Sequence, residues 1–169
     1  MKLYYHADRA DVVVPGKVIR LEKTSPLHPL SALAPVIDKE FSEHLSKMCS
    51  EGLSRHGLNY LANQDRDNQR LHEFLLEIRL EHIRYTRFSE YPSRFQSFFA
   101  FTALDTALRF AGLSGRVYEI EAHGFEFDMS LLQIGNEDRY WAGEQGDRSV
   151  KECLIDLRKQ DITILRECV

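Results

Sequence analysis

The chain opens with the sequence LYYHADRAD at residues 3–11, followed by VVVPGKVI at residues 12–19. Both stretches are rich in aromatic and β-branched residues, which favour strands, and the Pro-Gly pair in the second is typical of a turn. We therefore predict strands at 2–6 and 17–22. His6 comes at the end of the first strand, where a side chain is well placed to contact a ligand.

The length and the charge of the chain restrict the classes of protein to which it can belong. With 169 residues, one domain with its own core is expected over 1–169. Lys and Arg number 22 against 26 Asp and Glu, so the net charge is -4. This balance does not favour binding to nucleic acid or to a membrane surface as the main function. We therefore expect neither as a partner.

The three cysteines, Cys49, Cys153 and Cys168, are odd in number and far apart in the sequence. They lack the CxxC spacing of a zinc or redox site, so we expect free thiols in a reducing compartment. There is no apolar run of membrane-spanning length, and the first residues do not resemble a signal peptide. We expect a cytoplasmic protein; an effector delivered by a specialised secretion system would have the same features.

The middle of the chain has the periodicity of helices. Residues 24–35 contain three prolines and are predicted to be an ordered connector. Apolar residues at helical spacing predict an amphipathic helix at 36–51 and a second helix at about 68–87, with a polar start at 65–69. The helical block at about 36–90 therefore resembles an insertion into a sheet core.

Strands and short helices alternate in the last part of the chain. Apolar spacing from Phe101 to Ala111 predicts a helix that Gly112 ends. A strand is predicted at 116–122 and a helical turn at 128–134. Two further strands are predicted at 150–157 and 161–167, paired as a hairpin through residues 158–161. Strands near both ends with helices between them predict an α+β fold.

The opening stretch YHADRAD at residues 5–11 is similar to the Tyr-His-Gly-Thr-Lys-Ala-Asp opening of ADP-ribosyltransferases, above all of the small rifamycin-modifying branch. In that family the histidine holds the ribose of NAD, so the resemblance implies the same role for His6. Arg9 is a candidate for contacts with phosphate or ribose. Ala7 and Asp8 stand where the family usually has Gly and Thr, and both the small glycine and the hydroxyl are lost.

The stretch FAFTALDTA at residues 99–107 is similar to the family's Tyr-x-x-x-Thr-Leu-Asp-x-Ala. Its tyrosine stacks against nicotinamide, so the resemblance implies stacking by Phe99. Phenylalanine retains the aromatic face and lacks the hydroxyl. Stacking can survive this change, whereas a polar role of the tyrosine cannot.

A third similarity supplies two candidate catalytic acids. Residues 116–128 are similar to the family's Val-Tyr-x-Val-Glu-Pro strand and the following Gly-x-x-Glu-Asp-Asp, whose last aspartate matches Asp128. Other branches of the superfamily place a glutamate at the start of a later strand, and Glu152 has that position here. The sequence leaves open which of the two acids is catalytic.

The stretch at residues 92–98 contains a cation, an amide and two hydroxyls just before the second motif. Arg94 and Ser97 are therefore candidates for contacts with pyrophosphate or ribose. The stretch also resembles one found in uncharacterised bacterial and prophage-borne proteins, which implies no function.

Together the three motifs imply an ADP-ribosyltransferase-type fold, in which a small split antiparallel sheet carries the helical insertion and NAD binds in a cleft between two small sheets. The implied reaction transfers ADP-ribose from NAD to an unknown acceptor, a protein or a small molecule. It passes through an oxocarbenium-like sugar, as glycoside hydrolysis does. A held cofactor, an aromatic surface and a carboxylate suffice for it, and no metal is predicted.

Other interpretations remain open. A degenerate member would keep the fold, lose the chemistry and bind a partner through the helical insertion. An unrelated α+β interaction protein would match the motifs by chance. Four of the candidates also have a structural explanation: Phe99 as core, Asp128 as a helix N-cap, Glu152 on a solvent face, and Arg94 paired with Glu90.

Overall fold

The computed structural model describes residues 1–25, 37–62 and 68–168. Most of the predicted connector at 24–35 lies outside the described residues, as do residue 36 of the first predicted helix and residues 65–67 of the polar helix start.

Two compact units make up the chain. The first combines Met1–Arg20 with Phe98–Val169, and the second is Leu21–Ser97. The predicted insertion at 36–90 falls inside the second unit. That the whole chain forms one domain stays a prediction.

The first unit is built on a seven-stranded sheet with the order β2-β7-β4-β1-β3-β6-β5. Antiparallel pairing joins β1 to both β3 and β4, and β7 to both β2 and β4; β5 and β6 are also antiparallel. The predicted α+β class with an antiparallel sheet core is therefore confirmed, whereas the described strands form one sheet and not the two small sheets that the resemblance implies. The strands are β1 Lys2–Asp8, β2 Val18–Ile19, β3 Ser97–Phe101, β4 Arg116–Ala122, β5 Phe125–Asp128, β6 Lys151–Asp156 and β7 Ile162–Cys168.

Strand β1 joins the motif segments to one another. It pairs with β4 from Lys2↔Ala122 to Asp8↔Arg116. Its other neighbour is β3, with which it pairs at Tyr5↔Phe101. The first motif therefore lies directly between the second and third motifs, although about 90 residues separate it from them in the sequence.

The predicted hairpin between 150–157 and 161–167 is wrong, although both strands exist. Strand β6 lies between β3 and β5, and β7 lies between β2 and β4. All residues from Glu152 to Asp156 are buried, as expected of a strand with neighbours at both edges and cover on both faces, whereas burial alternates at the start of β7. The turn that follows Asp156 marks a reversal of the chain, and it does not determine which strands become neighbours.

The second unit is helical. Its helices are α1 Lys39–Glu51, the single turn α2 Arg55–Gly57, which continues as a π-helix at Leu58–Ala62, and α3 Asn68–Arg87. Asp38 caps α1 by accepting a hydrogen bond from the backbone of Phe41 at 2.8 Å. The two long helices confirm the predictions from periodicity. Their buried apolar residues form one core with the loop residue Leu53 and with Phe95: Phe41, Leu45, Met48, Cys49, Leu53, Leu61, Phe74, Ile78 and Phe95.

Short helices pack onto the sheet of the first unit. Helix α4, Leu104–Ala111, ends at Gly112 with a φ of 73°, as the sequence predicts. The predicted turn at 128–134 is a 3-10 helix at Met129–Leu131, and helix α5 follows at Glu137–Trp141. None of the helices described here is both long and apolar enough to cross a membrane.

Candidate functional site

His6 is fixed by a backbone hydrogen bond across the junction of β1 and β3. Its Nδ1 lies 2.7 Å from the carbonyl oxygen of Phe99. Because a carbonyl only accepts, Nδ1 must carry the hydrogen. In the neutral imidazole, Nε2 is then the acceptor. The fold therefore determines which nitrogen of the predicted ribose clamp accepts a hydrogen bond.

The aromatic ring beside His6 belongs to Phe98. The two ring centroids are 4.2 Å apart, with 30° between the planes. Successive side chains of a strand point to opposite faces, so the ring of Phe99 lies on the other face of β3. Phe101, two residues further on, shares that other face and packs in the cluster with α4. The predicted stacking residue Phe99 therefore contributes its carbonyl at His6, and Phe98 contributes the ring.

Asp8 holds the turn after β1. Its carboxylate accepts backbone hydrogen bonds from Val12 and Val13 at 2.7 Å and from Ala10 at 3.1 Å. Burial alone would raise the pKa of Asp8, but these hydrogen bonds lower it below its usual value. The next residue, Arg9, is exposed and lies over the ring of Phe110 at 5.6 Å.

Asp128 is only 2% exposed and is surrounded by backbone donors. It accepts hydrogen bonds from the N–H groups of Ser130 at 2.9 Å, Gly146 at 2.7 Å and Val150 at 3.2 Å. Burial would raise its pKa, yet these donors, Gly146 first, lower it to about 2. Asp128 therefore stays ionised at neutral pH, caps the 3-10 helix and fixes the loop at 146–150.

Glu152 is 5% exposed, and the hydroxyl of Tyr140 donates to it at 2.7 Å. Tyr140 itself stacks against Phe127 with ring centroids 5.0 Å apart. The predicted solvent-facing position of Glu152 is therefore wrong, because β6 is an interior strand. Its carboxylate forms part of a packed aromatic cluster.

The two candidate acids lie on neighbouring strands but point to opposite faces. In the register of β5 and β6, Asp128 is opposite Lys151 and Phe127 is opposite Glu152. Directly opposed residues share a face, and adjacent residues do not. A ligand on one face of this strand pair can therefore reach only one of the two carboxylates.

Arg94 and Ser97 have structural partners inside the second unit. The guanidinium of Arg94, in a residue only 5% exposed, donates to the carboxylate of Glu77 at 2.9 and 3.1 Å. The predicted pairing of Arg94 with Glu90 is replaced by this buried pair. Ser97 is also buried, and its hydroxyl donates to the carbonyl of Ser93 at 2.7 Å.

The sequence interpretation missed a buried charge network on α3. Glu81 is only 2% exposed. Its carboxylate accepts hydrogen bonds from the guanidinium of Arg84 and from the hydroxyl of Ser93, both at 2.7 Å, and lies 2.8 Å from Nε2 of His44. Burial would raise the pKa of Glu81, and these hydrogen bonds lower it below its usual value. Glu77 and Glu81 are four residues apart and so share one helical face. This four-residue spacing, next to the apolar face of α3, is the feature of the sequence from which the buried network could have been inferred.

A cavity of about 490 Å³ lies in the first unit close to Asp128. Its wall includes Ser130 and Gly146, whose N–H groups hold the Asp128 carboxylate. The rest of the wall comes from residues 129–133, Asn136, Arg139, Asp147 and Arg148. Within the described ranges, no three side chains of His, Cys, Asp or Glu form a group that could hold a metal ion.

The chain belongs to the family described as Protein of unknown function (DUF2441), whose model matches residues 4–167. The match spans both units, so the helical unit is part of the family's pattern along with the sheet. A search of curated proteins found no match.

Proposed function

We propose that the protein binds NAD beside His6 and transfers its ADP-ribose group to an acceptor, a protein or a small molecule. The observation that carries the proposal is the contact between His6 and Phe99 at the junction of β1 and β3. Two motifs that resemble the same family are distant in the sequence, and this contact joins them in the fold. It also fixes the nitrogen that a ribose hydroxyl would meet.

In the proposed complex, Nε2 of His6 accepts a hydrogen bond from a ribose hydroxyl. The ring of Phe98 supports the imidazole at 4.2 Å and restricts its rotation. Holding the ribose in one orientation lowers the entropic cost of reaching the transition state. Phe98 is thus a positioning residue, whereas His6 contacts the cofactor.

A carboxylate would stabilise the positive charge that develops on the ribose as nicotinamide leaves. Asp128 suits this electrostatic role, since its low pKa keeps it ionised and its backbone donors keep it rigid. The same properties make it a poor general base. Glu152 is the other candidate, and the opposite faces of the two acids make them alternatives.

The acceptor of the ADP-ribose group is unknown. The cavity next to Asp128 offers room for a small molecule or a side chain. We propose that the reaction takes place in the cytoplasm, where the free thiols Cys49, Cys153 and Cys168 would remain reduced.

Calorimetric titration of the full chain with NAD tests the proposal. We expect the wild type to bind NAD and His6→Ala to lose most of the binding. His123→Ala is the matched control, because His123 is exposed and its recorded hydrogen bonds involve only its backbone. The proposal fails if NAD does not bind, or if His6→Ala and His123→Ala bind it equally well.

A second candidate is a degenerate member that binds a protein partner and lacks the chemistry. It is favoured by the full hydrogen bonding of Asp128 and by the commitment of Arg94 to Glu77, which leave these residues with structural roles. This candidate predicts a folded protein with no affinity for NAD. It also predicts that a partner from the native host binds the full chain, and that substitutions in the helical unit, Leu21–Ser97, weaken this binding.

A further inference from the structure

The hydroxyl of Tyr118 is buried and lacks a hydrogen-bond acceptor among the described residues. The residue as a whole is 0% exposed. Arg116 lies on the same face of β4, two residues away, and a hydrogen bond with the Tyr118 side chain raises the pKa of its guanidinium. A guanidinium only donates, so this proximity still leaves the O–H of Tyr118 without an acceptor.

Buried polar groups are normally satisfied, and an unsatisfied one costs stability. An exception in a native fold calls for an explanation. Here two donors, the guanidinium of Arg116 and the phenol of Tyr118, stand side by side on one face. A partner for both must offer at least two acceptor lone pairs, and an anion that also balances the charge of the guanidinium suits this pair best.

Asp11 already places an anionic group at this position. Its carboxylate lies 3.2 Å from Nε of Arg116, and Glu167 lies 3.6 Å from the same guanidinium. Both distances exceed those of a tight charge-assisted hydrogen bond. Arg116 and Asp11 are half exposed or more, so the pair contributes little to stability and can be displaced.

The backbone of Asp11 is held in an unusual conformation. Its φ of 53° is left-handed, and among the described residues Asp11 is the one non-glycine residue with a positive φ. Asp8, opposite Arg116 in the register, binds the N–H groups of the turn and so fixes the path that brings Asp11 to the arginine. Aspartate adopts this region more readily than most residues, and here the conformation accompanies the contact of its carboxylate with Arg116.

We propose that Arg116 and Tyr118 form a binding site for a phosphate group, and that Asp11 occupies this site in the free protein. A carboxylate is planar, and that of Asp11 reaches Arg116 without accepting from Tyr118. A phosphate has oxygens in tetrahedral directions and can accept from both. Two sources share this chemistry: the pyrophosphate of a dinucleotide such as NAD, and the phosphate of a separate ligand. The site does not depend on the proposed role of His6.

Titration of the full chain with inorganic pyrophosphate tests the site. Asp11→Asn should bind the probe several-fold more tightly, because asparagine tolerates the left-handed φ and lacks the competing charge. Arg116→Gln should lose most of the binding, and Tyr118→Phe should weaken it about 10-fold. Arg166→Gln is the matched control, since Arg166 is an exposed arginine of the same sheet paired with Glu119, and it should bind like the wild type.

Thermal melting separates this role from a structural one. Removing an unsatisfied hydroxyl should leave the melting temperature of ligand-free Tyr118→Phe equal to or above that of the wild type. The proposal is overturned if Asp11→Asn binds pyrophosphate no more tightly than the wild type. It is also overturned if Tyr118→Phe binds the probe equally well.

Competition with NAD identifies the source of the phosphate. If the pyrophosphate of NAD occupies the site, inorganic pyrophosphate competes with NAD and Arg116→Gln weakens both ligands. If a separate ligand uses the site, pyrophosphate and NAD bind independently, and Arg116→Gln weakens the binding of pyrophosphate but not that of NAD. Binding of pyrophosphate with no binding of NAD supports this site and contradicts the proposed function, so the two failures are distinguishable.

Discussion

Replacing Arg94 by methionine tests how strongly the buried pair of Arg94 and Glu77 stabilises the second unit. Methionine retains apolar volume but removes the N–H groups that lie 2.9 and 3.1 Å from the Glu77 oxygens. Both residues are 5% exposed, so water cannot solvate the carboxylate that remains. Breaking a buried pair by removing one partner costs about 3–5 kcal/mol. At roughly 2–4 °C for each 1 kcal/mol, the melting temperature should fall by roughly 6–20 °C.

Urea unfolding followed by circular dichroism, together with thermal melts, measures this loss. The double variant Glu77→Leu/Arg94→Met should recover most of the stability, because it removes the buried carboxylate together with the guanidinium. The pair of Glu119 with the exposed Arg166 provides a control, and Arg166→Met should cost less than about 1 kcal/mol. A loss below about 1 kcal/mol in Arg94→Met, or a double variant no more stable than the single one, would refute the reasoning.

Three further predictions concern the first unit. The folded pKa of Asp128, about 2, lies below its usual value of 3.8, so its contribution to stability, on the order of 2 kcal/mol, is complete above about pH 5 and is lost as pH falls through about 2. Urea unfolding of the wild type and Asp128→Asn across that range should show their difference shrinking, and a constant difference would contradict it. Gly146→Ala should cost about 1–3 kcal/mol in the same assay, because its Cβ would overlap Oγ of Ser130; unchanged stability would contradict this, since it would mean that the loop shifts at no cost. Burial raises the pKa of the Cys153 thiol to about 12, so iodoacetamide at pH 8 should label it only after unfolding, as mass spectrometry would detect; rapid labelling of the folded protein would contradict its burial.

Local patterns were sufficient to predict the helices α1, α3 and α4. The apolar spacing that ends at Met48 predicts α1, and the end of α4 at Gly112 follows from the capping preference of glycine. These features depend on residues within a few turns of one another. The strand at Arg116–Ala122 was predicted for the same reason, since its composition alone favours an extended chain.

Features that depend on distant pairing could not be predicted in the same way. The turn after Asp156 predicts a reversal, but three strands lie between β6 and β7 in the sheet. In the aromatic run of β3, the register with β1 decides that Phe98 rather than Phe99 meets the ring of His6. A shift by one residue exchanges the two faces, and the sequence does not encode that register locally.

The burial of charged side chains also could not be predicted from the sequence. The sequence predicts no role for Glu77 and Glu81, because acidic residues on a helix are usually solvated. They are buried because arginines from two different segments, Arg84 on α3 and Arg94 after it, neutralise them. Asp128 shows the same limitation: its motif predicted an acid, and its three backbone donors come from residues as far away as Val150.

Nitrogen-15 NMR of labelled histidines, recorded with and without NAD, tests the central claim most directly. The His6 resonances are assigned by their loss in His6→Gln. The account predicts that Nδ1 carries the hydrogen in the free protein and that NAD shifts the resonance of Nε2, leaving His123 unchanged. A hydrogen on Nε2 in the free protein, or an Nε2 resonance that saturating NAD does not move, would contradict the account.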